Sequence, residues 1–146
     1  MSEEIFTAAE RAYLDGQSLA RLATIGPGGG PQIRPVGFVF DPVAGTIDIG
    51  GPRLAASRKY RNVEANRLVS VVVDDMTPDE PGAVKPGWGR GVEVRGWAET
   101  LTLAEPPMAA GFFANEVIRI HPVRILSWHL DPDKLDDART VGELPS

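Results

Sequence analysis

The stretch Gly50 to Asn62 reads GGPRLAASRKYRN and follows a short apolar segment, 46–49, that is predicted to be a strand. Pro52 suits the first position of a helix, because its missing N–H would have no intrahelical partner there. The chain has a formal net charge of -5, yet four cations fall within nine residues: Arg53, Arg58, Lys59 and Arg61. Helix-end N–H groups, the Ser57 hydroxyl and a guanidinium can point at the same oxygens. The pattern predicts a pocket for an anionic group such as phosphate; the alternative is a solvated helix face that is merely basic.

Apolar segments bounded by glycine and proline turns lie on both sides of this stretch and predict a mainly β protein. The strands are expected at 18–25, 32–40, 46–50, 68–73, 91–101, 117–121 and 123–130. Short turns between neighbouring strands indicate antiparallel pairing. Closing six or seven such strands into a small barrel would remove exposed edges.

Two helices are expected to accompany the strands. An N-terminal helix would be capped by Ser2 and would stop at Gly16. A second helix, inserted after the third strand, is predicted from about Pro52 to Ala65. Its core-facing residues would follow helical spacing: Ala56, Tyr60 and Val63.

The length of 146 residues fits a single domain, 1–146. A polar connection rich in proline and glycine is expected at 74–90, and a short irregular or helical piece at 106–113. The polar tail, 131–146, is expected to hold one helical turn near 132–138. Small domains of this size often bind cofactors between two subunits, so an oligomer is expected.

Composition excludes several classes of function. The chain has no cysteine, which removes disulfides and thiolate chemistry, and two histidines leave little room for a metal site. The acidic balance argues against nucleic acid as a partner. No apolar run approaches the ~20 residues of a membrane span, so we expect a cytoplasmic protein with no membrane contact.

A second candidate site is the sequence Arg34-Pro35-Val36-Gly37. Proline inside a strand removes a ladder hydrogen bond, so this is either an ordinary edge strand or a bend that opens backbone groups toward a flat ligand. Trp88, in the predicted connection, is a candidate for covering a planar ring.

Read in order, these motifs resemble the pyridoxamine 5'-phosphate oxidase-like split β-barrel superfamily, and more narrowly its branch of deazaflavin (coenzyme F420)-dependent actinobacterial reductases. The motifs are Arg-Pro-Val at 34–36, Ser-Arg-Lys-Tyr-Arg-Asn at 57–62, Val-Ser-Val-Val-Val-Asp-Asp at 69–75 and the closing Ile-Arg-Ile-His-Pro-Val-Arg at 118–124. The resemblance runs from about Ala8 to Leu130. A related group comprises reductases that act late in tetracycline-type antibiotic pathways.

The resemblance implies a homodimer with two cofactor sites at the subunit interface. It implies that Ser57, Arg58 and Lys59 meet the cofactor phosphate with support from Asn62. The ring system would be lined by Arg34, Pro35 and Val36, with Gly50 and Gly51 nearby, and Trp88 and Arg90 would arrive from the second subunit.

The activity implied is hydride transfer between reduced F420 and an unsaturated small molecule such as an enone. The catalytic proton donor is not assigned: Tyr60, Tyr13 and water are all open. Three alternatives stay open, namely an FMN-dependent oxidoreductase, a carrier that binds flavin, F420 or haem without turnover, and a structural dimer whose basic helix binds nothing. The surplus cations Arg53 and Arg61 favour F420, whose oligoglutamate tail is acidic.

Overall fold

The fold comes from a computed structural model that describes residues 4–146. Its helices are α1 (Ala8–Asp15) and α2 (Arg58–Ala65), and short 3-10 turns cover Pro27–Gly29 and Leu54–Ala56. The strands are β1 (Leu19–Ile25), β2 (Pro31–Asp41), β3 (Thr46–Ile49), β4 (Leu68–Met76), β5 (Gly89–Thr102), β6 (Glu116–Asp131) and β7 (Lys134–Thr140). No helix formed by the described residues has the length and apolar character that crossing a membrane requires.

The strands form one antiparallel sheet that closes on itself. Its order is β3-β2-β1-β4-β5-β6-β7, and β3 also pairs with β6 through Ile47 opposite Ile120. Six strands therefore make a closed barrel, while β7 pairs with β6 outside the ring. Closure leaves the barrel strands no free edge. The predicted mainly β split barrel with two helices is confirmed.

Alternation along the strands fills the barrel interior. On β5, Val92, Val94 and Ala98 are fully buried while Arg95 between them is exposed, as the sequence pattern predicts. β4 lies between β1 and β5 and is buried at every second residue, which agrees with a central strand. Helices α1 and α2 pack against this barrel through their buried side chains Leu14 and Val63.

Helix α1 begins at Ala8 and is capped by Thr7. The Thr7 hydroxyl accepts from the Glu10 amide at 3.2 Å, and the Glu10 carboxylate accepts from the Thr7 amide at 2.9 Å, which completes a capping box. The predicted cap, Ser2, lies outside the described residues. The predicted stop at Gly16 is confirmed.

Helix α2 begins at Arg58, and the predicted start at Pro52 is wrong. Ser57 is the residue that caps this helix: its backbone is extended and its hydroxyl accepts from the Tyr60 amide. The predicted inward position of Ala56 is wrong for the same reason, since it precedes the cap and is exposed. Tyr60 and Val63 are buried as predicted.

Strand β6 runs unbroken through Pro122, where two separate strands were predicted. Arg95 faces Arg124, but the next residue, Gly96, faces Pro122, so Val123 is an extra residue in the ladder. A β-bulge is where a paired strand tolerates proline, because one residue there is left out of the ladder. The bulge therefore allows β6 to continue through Pro122, although a proline at this position predicts the end of a strand.

The predicted helical turn near 132–138 is wrong, because β7 occupies this segment. The Asp131 carboxylate accepts from the Asp133 amide at 2.8 Å, which turns the chain back on β6. The polar residues of β7 pair with one another: Asp137 bridges Lys134 at 3.0 Å and Arg139 at 2.6 Å. The connection between β4 and β5 is also shorter than predicted, 77–88, and 106–113 holds no helix.

Gly96 tests the importance of the bulge. A Cβ at Gly96 would press against the carbonyl oxygen of His121, far inside van der Waals contact. Because backbone has to move, we expect Gly96→Ala to lower the free energy of unfolding by about 1–3 kcal/mol. The matched control is Gly30→Ala, where φ is -74° and nothing lies within 4 Å of the added carbon. Urea denaturation that gives equal stability for the two variants would contradict this reading.

Candidate functional site

A cavity of about 550 Å³ opens where the N-terminus of α2 meets β1 and β2. The residues that line it come from these three elements: Leu22, Thr24, Gln32, Ile33, Arg34, Ser57, Arg58 and Lys59. Leu22 on β1 lies opposite Arg34 on β2, so strand pairing fixes the cavity wall that faces the helix. The structure thus brings Arg34 together with the Ser57–Lys59 cluster.

Ser57 shapes the helix end rather than presenting a free hydroxyl. Its Oγ donates to the carbonyl oxygen of Leu54 at 2.6 Å and accepts from the Tyr60 amide at 3.3 Å. Arg58 and Lys59 occupy the first two helical positions, whose amides have no intrahelical acceptor. The partial positive charge of the helix end therefore adds to the side-chain charges at the cavity.

The electrostatics of the cavity are unbalanced. Burial, and after it the positive charge of Arg34, lowers the pKa of Lys59 below its ordinary value. Within residues 4–146, no carboxylate lies within 4 Å of a side-chain nitrogen of Arg34, Arg58 or Lys59. Cations that repel one another in a partly buried site are stabilised by an anion, so this cavity favours a negatively charged ligand.

Asn62 holds the cavity wall from behind. It is 3% exposed, and its amide nitrogen donates to Thr24 Oγ1 and Gln32 Oε1, each at 2.9 Å. Both acceptors line the cavity, so Asn62 ties α2 to β1 and β2. Sequence reasoning missed Thr24 and Gln32; the signal that could have found them is a polar residue, Asn62, on the buried face of a helix, because such a residue needs hydrogen-bond partners.

A second cavity of about 490 Å³ adjoins the first. Its lining residues are Gly51, Pro52, Arg53, Leu54, Ala56, Ser57 and Lys59, so Ser57 and Lys59 border both cavities. Gly51 therefore lies near the cationic cluster. Gly50 is covered by its own chain, since a Cβ there would lie 3.0 Å from the Phe113 ring.

Pro35 and Val36 do not line either cavity. Val36 points inward and is buried in the core, whereas Pro35 is exposed on the outer face of β2. Their predicted contact with a ring system stays a prediction.

A third cavity, of about 300 Å³, lies beside α1, and Trp88 stands edge-on to His129, one of its lining residues. Arg90 also lines this cavity and donates to both Asp75 oxygens, at 2.8 and 3.1 Å. Tyr13 donates to the same carboxylate at 2.8 Å. The hydrogen bond from Arg90 is the main cause that holds the pKa of Asp75 below its ordinary value; burial opposes it, and the hydrogen bond from Tyr13 adds to it. The contribution of Trp88 and Arg90 to the cofactor site of a second subunit stays a prediction.

Across 4–146, no group of three or more histidine, aspartate or glutamate side chains is arranged to hold an ion. His121 Nε2 forms a hydrogen bond with Glu99 Oε2 at 2.5 Å, and the His121 ring stacks on Trp97 on the outside of the barrel.

Comparison with known proteins identifies relatives over most of the chain. The sequence model of the pyridoxamine 5'-phosphate oxidase family matches residues 6–129. A 5a,11a-dehydrotetracycline/5a,11a-dehydrooxytetracycline reductase from Streptomyces rimosus is 41% identical over 128 residues, which are 88% of this chain and 86% of the relative.

Solved structures share the same architecture. An F420 reductase superposes with a TM-score of 0.58 at 24% identity, over 82% of this chain and 98% of its own. A heme binding protein from Mycobacterium smegmatis superposes with a TM-score of 0.64 at 16% identity, over 92% of this chain and 58% of its own. At these identities the likeness shows the fold alone.

Proposed function

The chain belongs to the pyridoxamine 5'-phosphate oxidase family, as its motifs predicted, and from that premise we propose that it is a reductase that uses coenzyme F420 to reduce an unsaturated small molecule such as an enone. The observation that carries the proposal is the cationic cavity at the start of α2. There Arg34, Arg58 and Lys59 converge without a carboxylate partner among the described residues.

The residues present fit a phosphate-bearing redox cofactor. Arg58 and Lys59 would hold the phosphate with their side chains and with the amides that begin α2. Asn62 keeps the opposite wall in place through Thr24 and Gln32. When bound, a reduced deazaflavin supplies hydride and, having carbon in place of the reactive flavin nitrogen, reacts poorly with oxygen. The chain's part is to bind and orient that group and to exclude water.

The second cavity favours F420 over FMN. Both cofactors carry the phosphate that the first cavity suits, but only F420 continues into an oligoglutamate tail. Arg53 and Lys59 line the adjoining cavity, so a chain of carboxylates leaving the phosphate would meet further positive charge. Arg61, which the sequence also suggested for this role, donates instead to the carbonyl oxygen of Ala56 at 3.1 Å.

The 41% identical relative supports reductase activity. Its name states that it reduces dehydrotetracyclines, which are large conjugated molecules with activated double bonds. A substrate of that general class, with an activated C=C bond, is what we propose for this chain.

A second copy of the chain is proposed as the partner. The outer faces of β1, β2 and β4 expose apolar side chains: Leu19 is 56% exposed, Ile33 63% and Leu68 47%. Ile33 also lines the cationic cavity itself. Exposed apolar surface that continues into a ligand site is typical of an interaction surface, and a copy docked there would complete the cavity wall.

Titration of the purified protein with F420 and with FMN tests the cofactor. We expect F420 to bind about tenfold or more tightly than FMN, because the tail adds charge-assisted contacts. Fluorescence of the two cofactors reports binding directly. Tight binding of FMN alone would overturn the F420 assignment.

Turnover separates an enzyme from a carrier. We expect reduced F420 to be oxidised when at least one member of a panel of cyclic enones is added, in an assay followed by the return of F420 absorbance. If the protein binds F420 tightly but no enone oxidises it, the chain is a carrier. Parallel titration with hemin checks the remaining ligand, since a protein of this fold binds heme.

A further inference from the structure

The third cavity shares no lining residue with the cationic cavity of the same subunit. Its walls include Tyr13, Glu80, Arg90 and His129. At its edge Trp88 stands edge-on to His129, with ring centroids 5.9 Å apart, and the Lys85 ammonium lies 4.9 Å from the indole centroid. We call Lys85, Trp88 and His129 the Trp88 corner.

The backbone of the Trp88 corner is strained. Lys85 has a φ of 52° and His129 a φ of 56°, both in the left-handed region that side chains other than glycine rarely adopt. Across residues 4–146, Ala109 is the one other non-glycine residue with a positive φ. Strain of this kind persists where the surrounding structure enforces it, and it concentrates at functional sites.

The His129 ring is held in one orientation. Its Nδ1 lies 2.6 Å from the carbonyl oxygen of Gly89, and a carbonyl only accepts, so Nδ1 donates. In the neutral ring Nε2 is then an acceptor with no protein partner recorded among the described residues. A fixed tautomer with a free nitrogen beside a cavity is suited to a ligand hydroxyl.

Trp88 presents an open aromatic surface. The side chain is 60% exposed, although large aromatic rings are normally among the most buried groups. Lys85 adds a positive charge above this ring. Arg90 is neutralised by Asp75, and Glu80 adds a negative charge to the wall, so the corner suits a single negative charge rather than a polyanion.

We propose that the Trp88 corner is a binding site for planar conjugated molecules that carry one acidic oxygen next to a hydroxyl, such as an enolised 1,3-dicarbonyl or a hydroxyaryl carboxylate. The ring system stacks on Trp88, the anionic oxygen pairs with Lys85, and the hydroxyl donates to Nε2 of His129. This deepens the proposed function, on which it rests for the role of substrate site. Ligand binding itself needs no cofactor.

Calorimetric titration of the cofactor-free protein with 1-hydroxy-2-naphthoate tests the site. We expect Trp88→Ala to weaken binding about tenfold, because the stacking surface is lost. Lys85→Gln should lower affinity about fivefold, which is the range of an exposed ion pair. The neutral analogue 1-naphthol should bind the wild type about fivefold more weakly than the naphthoate does. Its affinity should be the same for the wild type and for Lys85→Gln, because it has no charge to pair with Lys85.

Phe112→Ala and Lys134→Gln are the matched controls, since they remove an exposed aromatic ring and an exposed lysine elsewhere. Both should leave naphthoate binding unchanged. Equal affinities for Trp88→Ala and Phe112→Ala would overturn the site. Loss of binding in an Arg58→Ala, Lys59→Ala variant would also overturn it, because the probe would then occupy the cofactor cavity. Failure here with intact F420 binding leaves the cofactor assignment standing.

Discussion

An Arg58→Ala, Lys59→Ala double variant is expected to bind F420 on the order of a hundredfold more weakly than the wild type, because each charge-assisted hydrogen bond to phosphate contributes about 1.5–3 kcal/mol. These two residues begin α2 and line the cationic cavity. Fluorescence titration of the cofactor against each variant measures the loss. The wild-type affinity should also fall as salt is added, since the cavity is open to solvent and its charges are screened.

The same substitutions should leave the fold intact. Neither cation is paired with a carboxylate among residues 4–146, so removing Arg58 breaks no ion pair, and removing Lys59 relieves its repulsion by Arg34. Binding should therefore fall while the urea midpoint stays the same or rises. Arg61→Ala is the control, because it removes a cation from the same helix that donates to the Ala56 carbonyl. If the double variant binds F420 as the control does, the phosphate does not sit at this helix end.

The site contains residues that are adjacent in the chain and residues that strand pairing brings together, and only the first kind could be predicted from the sequence. Ser57, Arg58 and Lys59 are adjacent in the chain, so one local pattern of charge was enough to find them. Thr24 and Gln32 reach the cavity through the pairing of β1 with β2, where they face each other. Register depends on the whole barrel, and no local pattern fixes it.

The fold shows a similar division. Clean alternation in 91–101 predicted β5 correctly, because burial on one face and exposure on the other leave a period of two. Strand β7 escaped prediction since its polar residues satisfy one another across the sheet surface and bury little apolar area. The sequence pattern predicted a break at Pro122, because the β-bulge there forms opposite Gly96, a residue 26 positions earlier in the chain.

An Arg139→Met variant should lose about 3–5 kcal/mol of unfolding free energy, because it leaves the buried charge of Glu10 without its partner. Glu10 is 1% exposed, and its carboxylate accepts from Arg139 at 2.6 and 3.0 Å and from Ser127 at 2.6 Å. Arg139 also donates to the carbonyl oxygen of Ile5 at 2.8 Å. One side chain thus joins β7 to α1 and to the segment before it. Urea denaturation measures the loss.

Comparison with Arg95→Met isolates the effect of burial. Arg95 pairs with Glu93 at 2.7 Å on the surface, where such a pair contributes about 0–1 kcal/mol. Adding Glu10→Leu to Arg139→Met should recover part of the stability, since a buried ion pair replaced by apolar side chains is often nearly neutral. Equal losses for Arg95→Met and Arg139→Met would show that the buried pair has no special weight.

Acid sensitivity should follow from the same pair. Burial raises the pKa of Glu10, but hydrogen bonds from Arg139, Ser127 and the Thr7 backbone outweigh it, so the pKa lies below its ordinary value of 4.5. A carboxyl whose pKa is lowered in the folded state stabilises the fold above its unfolded pKa and loses that contribution as pH falls through the folded value. The wild type should therefore lose stability from about pH 4.5 downward, and Glu10→Gln should lose less over that range. Identical acid profiles for the two proteins would mean that other carboxylates govern acid unfolding.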